Sequence, residues 1–129
     1  MSISILLPTR KRVPLIKKCT ESLLDNAKNP DKLQLLYGVD DDDQESIDAL
    51  TAIKHPFRSV IKFKRLGYEN LHQYNNGLAA YAQGTWIMFF NDDAIMQTKH
   101  WDLEIDKFDG KFKLLRVKEQ TKHPYSIFP

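Results

Sequence analysis

The chain has 129 residues, of which 42% are hydrophobic and 28% are charged, and its formal net charge is +2 at pH 7. These values are ordinary for one globular domain, and they give no argument for a nucleic-acid-binding protein or for attraction to an anionic membrane. The single cysteine, Cys19, excludes an internal disulfide framework and a cysteine-rich zinc site.

The N-terminal residues MSISILLPTRKR do not have the pattern of a signal peptide. Their apolar stretch is short, and the basic cluster follows it instead of preceding it. No apolar run in the chain reaches the length of a membrane span. These features predict a cytoplasmic protein with no transmembrane segment, peripheral to a membrane at most.

An apolar run and an amphipathic segment open the chain. The run ISILLP (3–8) predicts a buried strand that ends at Pro8. Leu15, Cys19 and Leu23 then recur every four residues, which predicts a helix with these side chains on its apolar face. Cys19 is therefore interpreted as a buried hydrophobic residue, because a catalytic thiolate would need a nearby histidine or a helix N-terminus.

Three further stretches predict strands, two from continuous apolar runs and one (59–65) from alternation. The first covers 33–39, and a short helix is predicted after the acidic run 40–43 that follows it. The second covers 59–65 and is expected nearer an edge of the sheet, because lysines occupy one of its faces. The third, TWIMFF (85–90), is continuously apolar, as expected for a central strand covered on both faces.

The remaining segments complete an alternating order of strands and helices. A helix is predicted from about 70 to 83 and is ended by Gly84, and another is predicted around Trp101. KFKLLRV (111–117) predicts a fifth strand, and the tail after it has no clear period. This β-α-β-α-β-α-β-α-β order predicts an α/β fold with an open, mostly parallel sheet and helices on both faces.

Polar, charged loops follow three of the predicted strands. They are PTRKR (8–12), DDDD (40–43) and NDD (91–93). The carboxyl ends of parallel strands meet at one edge of a sheet, where open α/β sheets bind their ligands. The sequence therefore predicts a binding site at this edge, built from these three loops.

Asp92 and Asp93 stand directly after the most apolar predicted strand. Two carboxylates at a rigid strand end suit Mg²⁺ or Mn²⁺, which prefer oxygen ligands and often take one or two protein carboxylates beside water and phosphate oxygens. The alternative is that the two side chains cap the next helix.

The other two loops each have two interpretations. DDDD is either an acidic turn before a helix N-terminus or the source of a carboxylate that binds a base or a ribose. It is not an EF-hand loop, because Glu45 and Thr51 occupy the positions that need glycine and glutamate. TRKR (9–12) is either a solvated turn or a phosphate-facing patch, and no P-loop or dinucleotide fingerprint accompanies it.

Three stretches together resemble a known family over about residues 3–105. ISILLPTRKRVPLIKKCTESLLDN, LQLLYGVDDDD and YNNGLAAYAQGTWIMFFNDDA are similar to segments of GT-A-fold glycosyltransferases of the family-2 type. The resemblance implies a nucleoside diphosphate sugar as donor, either a UDP- or a GDP-sugar, and Mn²⁺ or Mg²⁺ as cofactor. It also implies metal-assisted, inverting transfer to an acceptor of unknown class (a glycan, a lipid or a protein), with no part for nucleic acid.

The resemblance also implies the residues of the site. The implied nucleotide-sugar-binding residues are Pro8, Thr9, Arg10, Arg12, Asp40, Asp41, Asn76 and Asp92. Asp41 is favoured over Asp40 as the acid that hydrogen-bonds the base, and Asp92 matches a residue near the ribose or the metal. Asp93 matches the metal ligand that bridges to the diphosphate.

Two departures from the family pattern limit what the resemblance implies. The D-x-D-like motif begins with Asn91, which brings no charge to the metal. The chain also stops where the acceptor-binding half of the family would begin, so no residue matches the general base and the catalytic residue is unknown. The expectation is a single donor-binding domain over 1–129, apparently truncated.

Two functions of other classes stay open beside the transferase. A non-catalytic module that binds a nucleotide or a nucleotide sugar is favoured by the missing base and by Asn91. A nucleotidyltransferase on a related sheet is the other alternative. The lack of a glycine-rich phosphate loop after the first strand counts against it.

Overall fold

The structure, a computed structural model, describes residues 2–110, 115–117 and 125–128. Its strands are β1 (Ile3–Thr9), β2 (Leu33–Asp40), β3 (Arg58–Phe63), β4 (Trp86–Phe89), β5 (Leu115–Val117) and β6 (Tyr125–Phe128). Its α-helices are α1 (Val13–Asn26), α2 (Gln44–Thr51), α3 (Leu71–Ala79) and α4 (Trp101–Asp106), with 3₁₀ turns at Pro30–Lys32 and Tyr68–Asn70.

The strands form one sheet in the order β3-β2-β1-β4-β6-β5. β1 to β4 are mutually parallel, while β6 is antiparallel to both β4 and β5. The predicted α/β fold with a mostly parallel sheet is therefore confirmed, and β3 lies at an edge as its lysines indicated. The fifth predicted strand is seen over Leu115–Val117, and 111–114 lie outside the described residues.

Helices cover both faces of the sheet, because apolar side chains point alternately to its two sides. On one face, Ile3 and Ile5 of β1 belong to the same buried cluster as Cys19 and Leu23 of α1. On the other face, Leu6 packs in a smaller cluster with Leu78 of α3. Cys19 is fully buried, as predicted, and burial raises the pKa of its thiol to about 12. In the part of the chain that is described, no helix has the length and apolarity needed to cross a membrane.

Helix α3 ends earlier than the sequence predicted. Its last residue is Ala79, so Gly84 does not end it. A Cβ atom at Gly84 would lie 2.7 Å from the backbone nitrogen of Ser4 and 2.9 Å from the carbonyl carbon of Ile3. Glycine at this position therefore allows the residues just before β4 to pass close to the backbone of β1. The interpretation of Gly84 as a helix stop was wrong.

Candidate functional site

A cavity of about 810 Å³ opens at the carboxyl edge of the parallel strands. It is lined by residues 8–12 at and after the end of β1, by Asp40 at the end of β2 and by residues 89–93 at and after the end of β4. The segment between β3 and α3, together with the first turns of α3, closes the remaining side. The three predicted loops thus meet at one edge, and a fourth segment that the sequence did not single out joins them.

Asp92 is held in place by the last residue of β1 and by the loop that follows it. Its Oδ2 atom accepts a hydrogen bond from Thr9 Oγ1 at 2.8 Å, and its Oδ1 atom accepts one from Arg12 Nη1 at 3.3 Å. Burial raises the pKa of Asp92, and the contacts with Thr9 and Arg12 act in the opposite direction. Both carboxylate oxygens are therefore already engaged, which makes Asp92 part of the cavity wall.

Asp93 has the opposite environment. Its side chain is exposed and faces the cavity, and it makes no hydrogen bond or ion pair with any residue in the described ranges. The backbone N–H of Ala94 donates to the carbonyl of Asn91 at 3.1 Å, which forms a turn, and α4 begins only at Trp101. Neither aspartate caps a helix, so that alternative is wrong.

The donor set at Asp93 fits a hard divalent cation that takes few protein ligands. No group of three or more histidine, cysteine, aspartate or glutamate side chains lies close enough to hold a metal among the residues described. Mg²⁺ and Mn²⁺ do not need such a group, because water and substrate phosphates can complete their coordination. Asp93 offers an unengaged carboxylate for this purpose, with Asp92 next to it in the chain.

Asp40 links three segments of the cavity wall. It is buried at the end of β2, where Arg10 Nη1 donates to its Oδ2 atom at 2.7 Å and Tyr74 Oη donates to its Oδ1 atom at 2.5 Å. Arg10 also makes a two-pronged contact with Asp42, at 2.6 and 3.2 Å, and this contact lowers the pKa of Asp42. The buried charge of Asp40 is thus satisfied on both oxygens, as a buried carboxylate requires.

The other two aspartates of the DDDD run point elsewhere. Asp43 is the N-cap of α2, where it accepts a weak hydrogen bond from the N–H of Ser46 and a 2.7 Å hydrogen bond from the N–H of Lys11. These hydrogen bonds lower its pKa although burial acts to raise it. The acidic turn before a helix is therefore the observed environment of Asp43. Asp41 is exposed and is absent from the described lining of the cavity.

Most of the predicted site residues come together. The cavity is lined by Pro8, Thr9, Arg10, Arg12, Asp40, Asp92 and Asp93. Asn76 is exposed and lies outside the described lining, whereas the preceding residue, Asn75, lines the cavity and has a buried Oδ1 atom with no hydrogen-bond partner. Helical spacing could have found Asn75, because Leu71, Asn75 and Leu78 follow the i, i+4, i+7 pattern of one helix face.

Arg65 and Tyr68 are further lining residues that the sequence did not indicate. Both lie between β3 and α3, although the sequence predicts a strand that runs to Arg65. The topology could have indicated them, since the carboxyl end of β3 lies at the same edge as those of β1, β2 and β4. The hydrogen bond of Tyr74 to Asp40 likewise had no sequence signal.

Comparisons with known proteins give one family and several fold relatives. The sequence profile of the family described as "Glycosyl transferase family 2" matches residues 4–115. A search of curated proteins found no match.

Solved structures that are similar include S. aureus TarS 1–349 in complex with UDP-GlcNAc, with 17% identity and a TM-score of 0.65. The match covers 99% of this chain and 45% of that one. The mannosyltransferase PcManGT from Pyrobaculum calidifontis, in complex with GDP-Man and Mn²⁺, has 20% identity and a TM-score of 0.61, over 72% of this chain and 28% of its own. This chain therefore spans less than half the length of either protein.

A third similar structure is the 4-diphosphocytidyl-2C-methyl-D-erythritol synthase from Anaerococcus prevotii. It has 11% identity and a TM-score of 0.60, over 98% of this chain and 69% of that one. At these identities the likeness concerns the fold, an α/β sheet of GT-A type. Because the family profile covers most of its length, the chain belongs to glycosyl transferase family 2.

Proposed function

We propose that this chain binds a nucleoside diphosphate sugar with Mn²⁺ or Mg²⁺ and supplies the donor side of a glycosyl transfer reaction. The observation that carries the proposal is the unengaged carboxylate of Asp93, which faces the same cavity as the cationic side chains of residues 10–12. A diphosphate is bound by cations on several sides. A divalent ion at Asp93 and the guanidinium of Arg12 would provide them from two neighbouring strands.

The residues around the proposed metal site have distinct roles. Asp93 would hold the ion, and Thr9 and Arg12 fix Asp92 beside it through the 2.8 and 3.3 Å hydrogen bonds. A bound ion would stabilise the nucleoside diphosphate as it leaves the sugar. Lys11 and Arg12 are both exposed at the cavity, so Lys11 and the guanidinium nitrogens of Arg12 other than Nη1 would approach the phosphate oxygens.

The fold relatives support the class of donor. PcManGT is described with GDP-Man and Mn²⁺, and TarS 1–349 with UDP-GlcNAc. The two ligands share a nucleoside diphosphate linked to a sugar, and they differ in base and in sugar. We therefore propose that shared class, with UDP- and GDP-sugars both as candidates and with the sugar and the acceptor left open.

The proposed reaction is direct displacement with inversion, in which the acceptor hydroxyl attacks the anomeric carbon. The carboxylates in the described lining of the cavity are Asp40, Asp92 and Asp93. The first two already accept hydrogen bonds on both oxygens, and Asp93 is the proposed metal ligand. Asp102 accepts from the N–H groups of Lys28 and Asn29. We therefore propose that the general base comes from outside the described residues.

Titration calorimetry with UDP and with GDP, each with and without Mn²⁺, tests the proposal. We expect at least one nucleotide to bind, and to bind more tightly when Mn²⁺ is present. If neither nucleotide binds under any condition, the proposal fails. If the nucleotide binds equally well with and without Mn²⁺, the metal is no longer part of the proposal.

Incubation with UDP- and GDP-sugars separates the transferase from the alternatives. Transfer of the sugar to an acceptor or to water, with release of the nucleoside diphosphate, supports the transferase. Binding without any release favours a non-catalytic nucleotide-sugar module. Release of pyrophosphate from a nucleoside triphosphate and a sugar phosphate would instead indicate a nucleotidyltransferase, the class to which the synthase relative draws attention.

A further inference from the structure

We propose that Tyr68 is an aromatic platform on which the nucleobase of the donor stacks, and that Tyr74 positions the loop that carries it. The loop comprises residues 64–70, between β3 and α3. This inference rests on the proposed nucleotide-sugar function and adds to it a residue that sets affinity for the nucleoside. No motif in the sequence points to Tyr68.

Tyr68 presents a bare aromatic ring to the cavity. Its side chain is 85% exposed although it belongs to the cavity lining. The ring contacts of His55 with Phe57 and of Phe63 with Tyr74 do not involve Tyr68. A large ring that is left in water at the mouth of a ligand site offers a face on which a base can stack.

The position of Tyr68 along the sheet edge suits the nucleoside end of the ligand. The described lining runs from residues 91–93 after β4, past β1 and β2, to the loop after β3. Neighbouring strands are about 4.8 Å apart, so this edge spans roughly 14 Å from β4 to β3. If Asp93 fixes the diphosphate at the β4 end, the described cavity leaves room for the nucleoside on the side of β2 and β3.

Hydrogen bonds hold the 64–70 loop in the position that presents Tyr68. The N–H of Leu66 donates to Tyr74 Oη at 2.8 Å, and Asn70 Nδ2 donates to the carbonyl of Leu66 at 2.6 Å. Tyr74 donates in turn to Asp40 at the end of β2. Gly67, with φ +88°, makes the turn between Leu66 and Tyr68.

This arrangement makes Tyr74 a positioning residue. Its hydroxyl joins the buried carboxylate of Asp40 to the backbone of the loop. Its ring is fixed by an edge-on contact with Phe63, with centroids 5.1 Å apart. The loop is thus set before the ligand arrives, which lowers the entropy lost when a base stacks on Tyr68.

The test compares a ligand that has a base with one that has none. Tyr68→Ala and Tyr68→Phe are titrated in Mn²⁺ with whichever of UDP or GDP the wild-type chain binds, and also with inorganic pyrophosphate. We expect Tyr68→Ala to weaken nucleotide binding about 10-fold or more and to leave pyrophosphate binding unchanged. Tyr68→Phe keeps the ring, so it should bind the nucleotide nearly as the wild type does.

Tyr81→Ala is the matched control, because Tyr81 is 55% exposed and lies outside the described lining. It should leave the binding of both ligands unchanged. The platform is overturned if Tyr68→Ala binds the nucleotide as tightly as the wild type does. It is also overturned if Tyr68→Ala loses as much affinity for pyrophosphate as for the nucleotide, or if Tyr68→Phe loses as much nucleotide affinity as Tyr68→Ala. A wild-type chain that binds no nucleotide overturns the proposed function itself, and the platform with it.

Tyr74→Phe tests the positioning role, since it removes the hydroxyl and keeps the ring. We expect weaker nucleotide binding with unchanged pyrophosphate binding. The double variant Tyr68→Ala/Tyr74→Phe should bind the nucleotide about as weakly as Tyr68→Ala alone, because Tyr74 acts through Tyr68. Fully additive losses in the double variant would overturn the positioning role.

Discussion

Tyr74 donates a hydrogen bond to Asp40 at 2.5 Å, and this contact ties helix α3 to the end of strand β2. Asp40 is buried, and Arg10 donates to its other oxygen from the loop after β1. Three segments that are far apart in the sequence therefore converge on one carboxylate. A buried charge of this kind is tolerated only when its oxygens are satisfied, so its partners also contribute to the stability of the fold.

Tyr74→Phe should lower the free energy of unfolding by about 1.5–3 kcal/mol, the usual range for a hydrogen bond to a charged group. Tyr37→Phe is the control, since Tyr37 Oη forms a buried hydrogen bond with the neutral hydroxyl of Thr20 at 2.7 Å. Its loss should be smaller, about 0.5–1.5 kcal/mol. Urea unfolding measures both values. Equal losses in the two variants would mean that the hydrogen bond to the charged Asp40 stabilises the fold no more than a hydrogen bond to a neutral hydroxyl does.

Asp93→Asn should lower the Mn²⁺-dependent affinity for the nucleotide at least 10-fold, because the proposed site loses its one unengaged carboxylate. The free energy of unfolding should stay within about 0.5 kcal/mol of the wild-type value, since the side chain is exposed and makes no hydrogen bond or ion pair with the described residues. Titration calorimetry and urea unfolding give the two quantities.

Asp25→Asn is the control for the lost negative charge. Asp25 is exposed on α1 and lies outside the described lining of the cavity. Its substitution should change neither the affinity nor the stability. If Asp25→Asn weakens nucleotide binding as much as Asp93→Asn does, the loss reflects net charge and Asp93 is not a metal ligand.

The sequence predicted the cavity edge well because that edge follows from topology. Apolar runs marked β1, β2 and β4, an alternating pattern marked β3, and the order of strands and helices predicted a parallel sheet. Parallel strands place their following loops together. β6 was missed because the tail carried no period-2 pattern, and Gly84 was misinterpreted because a close backbone approach and a helix stop both select glycine.

The individual side chains of the site were harder to predict than its position. Four adjacent aspartates have one composition, yet Asp40 faces the cavity, Asp41 faces solvent, Asp42 pairs with Arg10 and Asp43 caps a helix. Backbone geometry at the end of β2 decides between them, and residue type carries no information about it. The same limit applies to the choice between neighbouring asparagines on α3.

Asp92→Asn should change how stability depends on pH. Burial raises the pKa of Asp92 in the folded chain, so the proton is held more tightly there than in the unfolded chain. The stability contributed by Asp92 is therefore fully present below its unfolded pKa of 3.8 and is lost as the pH rises through the folded value. Asn cannot titrate, so Asp92→Asn should gain stability relative to the wild type as the pH rises through this window.

Urea unfolding at several pH values from 3 upward measures the difference between Asp92→Asn and the wild type. Asp25→Asn serves again as the control, because Asp25 is exposed. If the free energy of unfolding of Asp92→Asn falls relative to that of the wild type as the pH rises, the contacts of Asp92 with Thr9 and Arg12 outweigh the effect of burial.

Cys19 should be protected from thiol reagents in the folded chain. It is fully buried, and burial raises its pKa from 9.0 to about 12, so almost no thiolate is present at pH 8. We expect no reaction with a disulfide reagent in native buffer and reaction of one thiol per chain in denaturant. Rapid reaction of the native chain would show that α1 opens locally or that Cys19 is accessible.

The raised pKa of Cys19 also predicts how its stability contribution varies in alkali. That contribution is fully present below about pH 9.0 and is lost as the pH rises toward 12. Cys19→Ala should therefore be less stable than the wild type at pH 8, through lost packing, and the gap should narrow by pH 11. A gap that stays constant would mean that the thiol does not titrate in this range.

Gly84→Ala should destabilise the fold by about 1–3 kcal/mol or more, because the new Cβ atom would meet the backbone of β1 at 2.7 Å from the nitrogen of Ser4. The backbone in the middle of a sheet cannot move aside as a flexible side chain can, so β1 and the residues just before β4 would be forced apart.

Gly110→Ala is the control. Gly110 has a positive φ of +81° but nothing within 4 Å of its added Cβ atom, so only backbone strain of about 1 kcal/mol applies. Thermal or urea unfolding of both variants compares the two costs, and a smaller loss for Gly84→Ala than for Gly110→Ala would contradict the close approach of β4 to β1.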